Sequence, residues 1–584
     1  LDSGCMADTP PPRIPAFSRR VPGIVWGGGL AGLVFLLWAG TTRLLPPDGS
    51  PALNPDLLLI YPVEVRGDDP GLEELGILTV DWIEEALHQV EGVEFVPSSY
   101  AEQYAETAAG GGLSNPVHGA ANMAGAGWAV SVVIRDRGES LEVRGELIEV
   151  SRGRSVQPVV ESGSKTQLNE LLGRFVRRLA SAVAYKFDPI MAETEPRPMP
   201  TVPTIEALRE FQLGYAAYDR GDGPSSFSHH MRAFELDSTF VRALVAAAHM
   251  AGSFELKDSL AQHAEQRRSL LSKRGQNDLD VLLAGLRHDR EGGLRIIRES
   301  ARIEGGGFTS VLEALFAIRV NLPGQALEAT ERYDPYLDYR RGEAFPYWLY
   351  RTQALHMLGR FDEELAEAVV GRKHYPDRLG ALAAEARALA ALGRPEDVSD
   401  LLHQARAISD NPGPAALEAG MELRAHGFPD AARDAFNQAV GWLTVGAARD
   451  ALDPGKRIQL AKALYGAERW AEAQEVAAVA LKENPEDQSA LGIVGLTGAR
   501  LADSVLAWES MDRLSGMSHG GERWERIYLM ASISAVLGQG DEAMRLLYQA
   551  FDEGHPHGLH LHRDMNLETL QGREDFQALV APKG

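Results

Sequence analysis

Four histidines, His555, His557, His560 and His562, lie close together in the stretch HPHGLHLHRD. Imidazoles so near one another could bind zinc or copper. The carboxylates beside them are few (Asp552, Glu553, Asp564), and alternating histidine is also ordinary in an exposed tail, so no metal site is assigned. Gly516-Met517-Ser518-His519-Gly520 spells a nucleophile elbow. That elbow needs a strand before the serine and a helix after it, whereas this one falls in a loop between helices. Gly27-x-Gly29-x-x-Gly32 spells a dinucleotide fingerprint but lies inside an apolar run. The fingerprint works only between a strand and a soluble helix. Gly110-Gly111-Gly112 lacks the Lys-Ser/Thr of a phosphate loop. There is no H-E-x-x-H, no kinase loop and no paired cysteine, Cys5 being alone. The expectation is no catalytic residue, no cofactor, no small-molecule substrate and no enzyme activity.

A second set of residues is marked by periodicity. Turns recur at Gly359 (LGRFDEE), Gly393 (LGRPEDV), Gly427 (HGFPDAA), Glu468 (AERWAEA), Ala502 (LADSVLA) and Gly538 (LGQGDEA), at intervals of 34, 34, 41, 34 and 36. Five residues after the turn stand Ala432, Ala473, Ala507 and Ala543; twelve after it stand Ala405, Ala439, Ala480 and Ala550. Small residues there let the second helix of a pair lie close to the first. Pro376 and Pro485 follow seventeen residues after the turn, where they end the second helix. This pattern resembles tetratricopeptide repeats, whose period is 34. An earlier unit begins at Leu213-Gly214-Tyr215, and between 240 and 345 the signature is degenerate, so nine or ten helix pairs are expected. The resemblance implies that the first helix of each pair lines a concave groove. Positions six, three and two before the turns then face it, and they include Gln353, His356, Arg387, Arg424, Lys462, Tyr465 and Arg500. Four of these are basic in a chain of net charge −24. They could form a track for an acidic or C-terminal segment of a partner protein. Alternatively they pair with glutamates of neighbouring repeats or face solvent.

The elements that would carry these groups begin with an anchor. Residues 21–42, VPGIVWGGGLAGLVFLLWAGTT, contain no charge. As a helix they would span about 33 Å, enough for a hydrocarbon core of about 30 Å. Arg13, Arg19 and Arg20 precede the run and Arg43 follows it. This bias predicts a cytoplasmic N-terminus, a single membrane helix over 21–45, and the bulk of the chain outside the cytoplasm, in the periplasm. A cleaved signal peptide is the rival reading, but the run is long and no A-x-A-like site follows. Gly23/Gly27 and Gly28/Gly32 are small-xxx-small pairs suited to packing against another membrane helix. A glycine-rich anchor without a partner is the alternative. The acidity of the chain argues against nucleic acid as a partner.

Between a tail at 1–20 with its anchor and the solenoid at 201–555, a linker at 46–55 leads into a smaller domain at 56–190. Its apolar runs and helical periods predict the order β-α-β-α-β-β-β-α, a mixed sheet with helices packed on it. The opening strand Leu57-Leu58-Leu59-Ile60-Tyr61, then Gly127-Trp128-Ala129-Val130-Ser131-Val132, then Leu141-Glu142-Val143-Arg144-Gly145-Glu146-Leu147-Ile148, resemble the TolB-N-like or FlgO-like α/β domain. With Ala207–Tyr215, the arrangement resembles the extracytoplasmic half of bacterial membrane-bound kinases and regulators. Residues 556–584 resemble the end segment of those repeat proteins, expected to cap the last repeat. The predicted fold is mainly α: one transmembrane helix, a small mixed α/β domain and an α-solenoid. The expected function is a membrane-anchored extracytoplasmic scaffold binding partner proteins. The alternatives are an accessory subunit of a large membrane complex, respiratory or photosynthetic, and the sensor half of a split signalling system.

Overall fold

The apolar run at the start of the small domain forms β1 (Asn54–Ile60), with Leu58, Leu59 and Ile60 buried. A continuous apolar run suits a strand covered on both faces. In the computed structural model, which describes residues 53–583 except 68–70, 89, 91, 189–202, 220–221, 305, 339–343, 450–453 and 518–522, β1 sits inside a mixed sheet. It pairs in parallel with β3 (Glu94–Phe95) on one side and β4 (Ala126–Asp136) on the other. β2 (Glu64–Arg66) extends the pairing along β4. β4, β5 (Ser140–Glu149) and β6 (Arg154–Ser164) form an antiparallel meander. Gly138, at φ +83°, makes the β4–β5 turn. The last strand of the predicted order is β6, eleven residues long.

Four helices cover this sheet: α1 (Gly71–Leu87), α2 (Ser98–Gly110), α3 (Pro116–Met123) and α4 (Leu168–Phe187). β5 alternates, with Leu141, Val143 and Leu147 buried and the charged residues between them turned outward, as a sheet packed on one face requires. α4 crosses that face at Gly145, where a Cβ would stand 2.7 Å from the Phe175 ring. The expected membrane helix at 21–45, with Gly23, Gly27, Gly28 and Gly32, lies outside the described residues, as do Ser518 and His519. Among the described residues no helix is long and apolar enough to cross a membrane.

From residue 205 onward the described residues form ten helix pairs, from Ile205–Asp219 with Gly223–Leu236 to Arg523–Val536 with Gly540–Asp552. Their turns share one geometry. Gly359, Gly393, Gly427 and Gly538 have φ between +69° and +87°, and Glu468 and Ala502 adopt φ +63° and +61° at the same register. Each turn closes on a backbone hydrogen bond from the following residue to a carbonyl five back, as in Arg360 N to Leu355 O at 2.9 Å. This ends the first helix in a left-handed cap, for which glycine is best suited. His288 and Asn321 take the same conformation, φ +58° and +63°, in the stretch where the sequence pattern fades. The alanines five and twelve residues after the turns are buried between paired helices.

The small domain and the solenoid share their cores. On one sheet face, α1 and α4 join Ala207, Leu208, Phe211 and Phe240 of the first two pairs. On the other, α2 and α3 join Val311, Tyr333, Trp348 and Tyr375 of the fourth and fifth. Polar contacts rim the first contact: Arg209 donates to both Glu74 carboxylate oxygens at 2.5 and 2.9 Å, and Arg242 reaches Glu85 at 3.3 Å.

Candidate functional site

The groove residues marked by periodicity lie in the last turns of the first helices, and the structure brings most of them against one segment, residues 553–583 of the same chain. This strap does more than cap the last repeat. Thr569 and Arg573 do contact that repeat, at Ala535 O (3.1 Å) and Asp541 (2.9 Å). The rest runs across the inner face. Arg424 donates to both carboxylate oxygens of Glu568 at 2.6 and 3.2 Å and to Glu468 at 3.0 Å. The Tyr465 hydroxyl donates to Asn566 at 2.5 Å, and Arg500 donates to that hydroxyl at 3.2 Å and to the Met565 carbonyl at 3.1 Å. Met565, Leu567, Leu570 and Phe576 are buried in the core of the later repeats. The strap also returns to the third and fourth pairs: Arg290 donates to Gly554 O at 2.7 Å, His557 N to Arg319 O at 3.1 Å, and Lys583 N to Asn321 O at 2.8 Å. Arg387 instead pairs inside the repeats with Glu364 at 2.6 Å, both groups buried. Lys462 is exposed and Gln353 half-buried.

His356 sits at the focus of a different arrangement. It belongs to the first helix of the fifth pair, Phe345–Met357. Glu422 and His426 lie at the end of the first helix of the seventh, Gly413–Ala425 and its cap. His562 comes from the strap. His356 Nε2, Glu422 Oε2, His426 and His562 each offer one donor atom, and all four atoms lie within 4.8 Å of one another. His356 Nε2 is 3.1 Å from His562 Nε2, and both are 3.6 Å from Glu422 Oε2. His426 Nε2 is 3.8 Å from the same oxygen. Between them the sixth pair carries buried Ala388 and Ala390 at the positions that hold Glu422 and Arg424 in the seventh. These small residues leave the fifth and seventh helix ends within reach of each other.

The surroundings orient this cluster. The His356 Nδ1 contacts Glu364 Oε2 at 2.7 Å, and Arg387 holds the other Glu364 oxygen. Arg563 donates to Glu422 Oε1 at 2.9 Å. Burial by itself raises the Glu422 carboxyl, but His562 and the Arg563 guanidinium hold it well below the usual carboxylate range. Burial lowers His426, which favours neutral imidazole. Glu422 Oε2 and His426 Nε2 are buried and have no hydrogen-bond partner, although buried polar atoms are normally satisfied. Three imidazole nitrogens and one carboxylate oxygen within 4.8 Å of one another could hold a metal ion.

The four histidines of the tail therefore separate. His562 joins the solenoid cluster, while His555 and His560 contact each other, Nε2 to Nε2, at 2.9 Å. Burial pushes His555 down to about 2 and His560 to about 4, which keeps both neutral. His557 turns to the Arg319 carbonyl through its backbone. Sequence reasoning placed His356 in the groove but missed Glu422 and His426. The signal available was their four-residue spacing, which puts both on one helix face. Nothing in the local sequence joined that face to His562, 136 residues beyond His426.

No known protein family profile matches the chain, and no curated protein sequence matches it. Among solved structures, the chain is similar to one in the crystal structure of the APC/C hetero-tetramer Cut9–Hcn1. The identity is 12%, the TM-score 0.32, and the match covers 70% of this chain and 82% of that one. That likeness is too distant to inform the site, and the repeat architecture described above stands on the helix pairs themselves.

Proposed function

We propose that this protein is a non-catalytic scaffold that binds partner proteins, held in the cytoplasmic membrane by residues 21–45 with the α/β domain and solenoid on the outer side. The observation that carries the binding role is the groove itself. Arg424, Tyr465 and Arg500 grip a turn of the strap through its carboxylate, amide and carbonyl groups, which is peptide-recognition chemistry. The charge-free run at 21–42 with Arg19 and Arg20 ahead of it supports the anchor and its orientation.

A second reading, a stable accessory subunit of a larger membrane complex, is favoured by the occupant of that groove. With the chain's own strap in it, a lasting partner would meet other surfaces. Gentle detergent extraction from native membranes, followed by sizing and mass spectrometry of the co-migrating chains, tests both. A stoichiometric set of membrane subunits supports the accessory role. A chain that runs alone, yet captures soluble partners once the strap is removed by truncation after Glu553, supports the adaptor. Recovery in the soluble fraction without detergent defeats the anchor.

A further inference from the structure

We propose that His356, Glu422, His426 and His562 form a tetrahedral zinc site that fastens the C-terminal strap to the fifth and seventh helix pairs. Zinc binds imidazole and carboxylate donors at about 2.0–2.2 Å, so a tetrahedral set places its donor atoms about 3.3–3.6 Å apart. Four of the six separations, 3.1, 3.6, 3.6 and 3.8 Å, bracket that spacing, and all six are within 4.8 Å. Three imidazoles and one carboxylate suit zinc over the hard cations calcium and magnesium, which take six or more oxygens.

The polar accounting points the same way. Glu422 Oε2 and His426 Nε2 have no hydrogen bond: that oxygen lies 3.6 Å from His356 Nε2 and His562 Nε2 and 3.8 Å from His426 Nε2, all longer than a hydrogen bond. His356 Nε2 and His562 Nε2 can share one proton, which still leaves the other two donors unsatisfied. A divalent cation satisfies all four at once. The outer contacts are those of a built site. The Glu364 carboxylate accepts the proton on His356 Nδ1 and so directs Nε2 inward, and Arg563 takes Glu422 Oε1 and leaves Oε2 for the metal. Arg387 fixes Glu364 in turn. Four protein donors close the coordination sphere, which makes the site structural and leaves no open position for a reacting water. Two donors come from one helix end, one from a helix two repeats away and one from the strap. The ion is thereby a clasp between distant parts of the chain, and metal binding is coupled to strap docking.

The test uses the untagged full chain in detergent, stripped with a chelator and dialysed. Titration with zinc alone is expected to give one tight site per chain. His426→Gln, Glu422→Gln and His562→Ala each weaken that site on the order of 100-fold or more, whereas exposed His403→Ala leaves it unchanged. Titration with cobalt alone gives a reading that needs no variant: a tetrahedral site produces intense visible bands, and an octahedral one only pale absorption. Hydrogen exchange across 553–583 is expected to slow when zinc is added. Zinc affinity indifferent to the three substitutions, or a pale cobalt spectrum in the wild-type chain, overturns the proposal. These outcomes are separate from the scaffold reading, which depends on partners and not on metal.

Discussion

The solenoid docks something at each half, and the two docks are built differently. The early repeats receive the α/β domain through continuous apolar cores, with Phe211 and Phe240 against one sheet face and Val311 and Trp348 against the other. The later repeats receive the C-terminal strap through a smaller apolar set, Met565, Leu567, Leu570 and Phe576, joined by polar side chains: Arg424 to Glu568, Arg563 to Glu422, Tyr528 to Asp564, and the His356–His562 pair. Apolar burial of the first kind is non-directional and hard to undo. Charge-assisted contacts of the second kind fix register and respond to conditions. The first dock is therefore a mostly apolar base, and the second a groove in which polar contacts set the register of the strap.

The substitution with the largest expected effect strikes the base. Phe211→Ala removes a fully buried ring from the junction of α1, α4 and the first repeats. It should cost about 3–5 kcal/mol, read as a lowered denaturation midpoint. If only local exchange near residues 205–240 changed, the two domains would not share one cooperative core.

On the strap, Arg563→Met leaves the buried Glu422 carboxylate without its guanidinium. Breaking a buried pair from one side costs about 3 kcal/mol or more. Here the loss should appear as faster hydrogen exchange across 553–583, with the α/β domain unaffected. Equal effects on both regions would erase the distinction between the docks.

The base carries its own pH dependence. Burial pushes Glu84 on α1 up to about 7 from an ordinary 4.5, the Arg274 guanidinium offsetting part of the rise. Between those values the native state binds more protons than the unfolded one. The stability Glu84 contributes is thus fully present below pH 4.5 and lost as pH climbs through about 7. A Glu84→Gln chain should lose this slope in denaturation measured from pH 5 to 8, and an unchanged slope would assign it to other groups. The smallest effect belongs to the rim of the strap. Glu568 is 39% exposed, so a double-mutant cycle with Arg424 should give about 0.5–1 kcal/mol.

The contrast also explains which repeats were legible. From Gly359 onward each repeat packs mainly on its neighbours, so the same small residues recur at the same places: Ala432, Ala473, Ala507 and Ala543 are all buried between paired helices. Between 240 and 345 the positions answer to a partner that is not a repeat. Arg242 meets Glu85, the Ser272 hydroxyl donates to the same glutamate, and Gly307 lies against Pro97 so closely that a Cβ would stand 3.1 Å from its ring. The pattern fades there while the left-handed turns at His288 and Asn321 persist.

By itself the sequence determined the local periods: the alternating strands, the helix pairs, the turn register that even Glu468 and Ala502 obey, and the groove face that carries His356, Arg424, Tyr465 and Arg500. These follow from backbone geometry and short-range packing, which a window of a few dozen residues contains. Only the tertiary structure decided that the strap fills that groove, and that His562 leaves its neighbouring histidines to join His356, Glu422 and His426. Between the two helix ends and the strap these donors are separated by 66 residues, from His356 to Glu422, up to 206, from His356 to His562. Their meeting depends on the summed curvature of the repeats, a quantity no single repeat encodes.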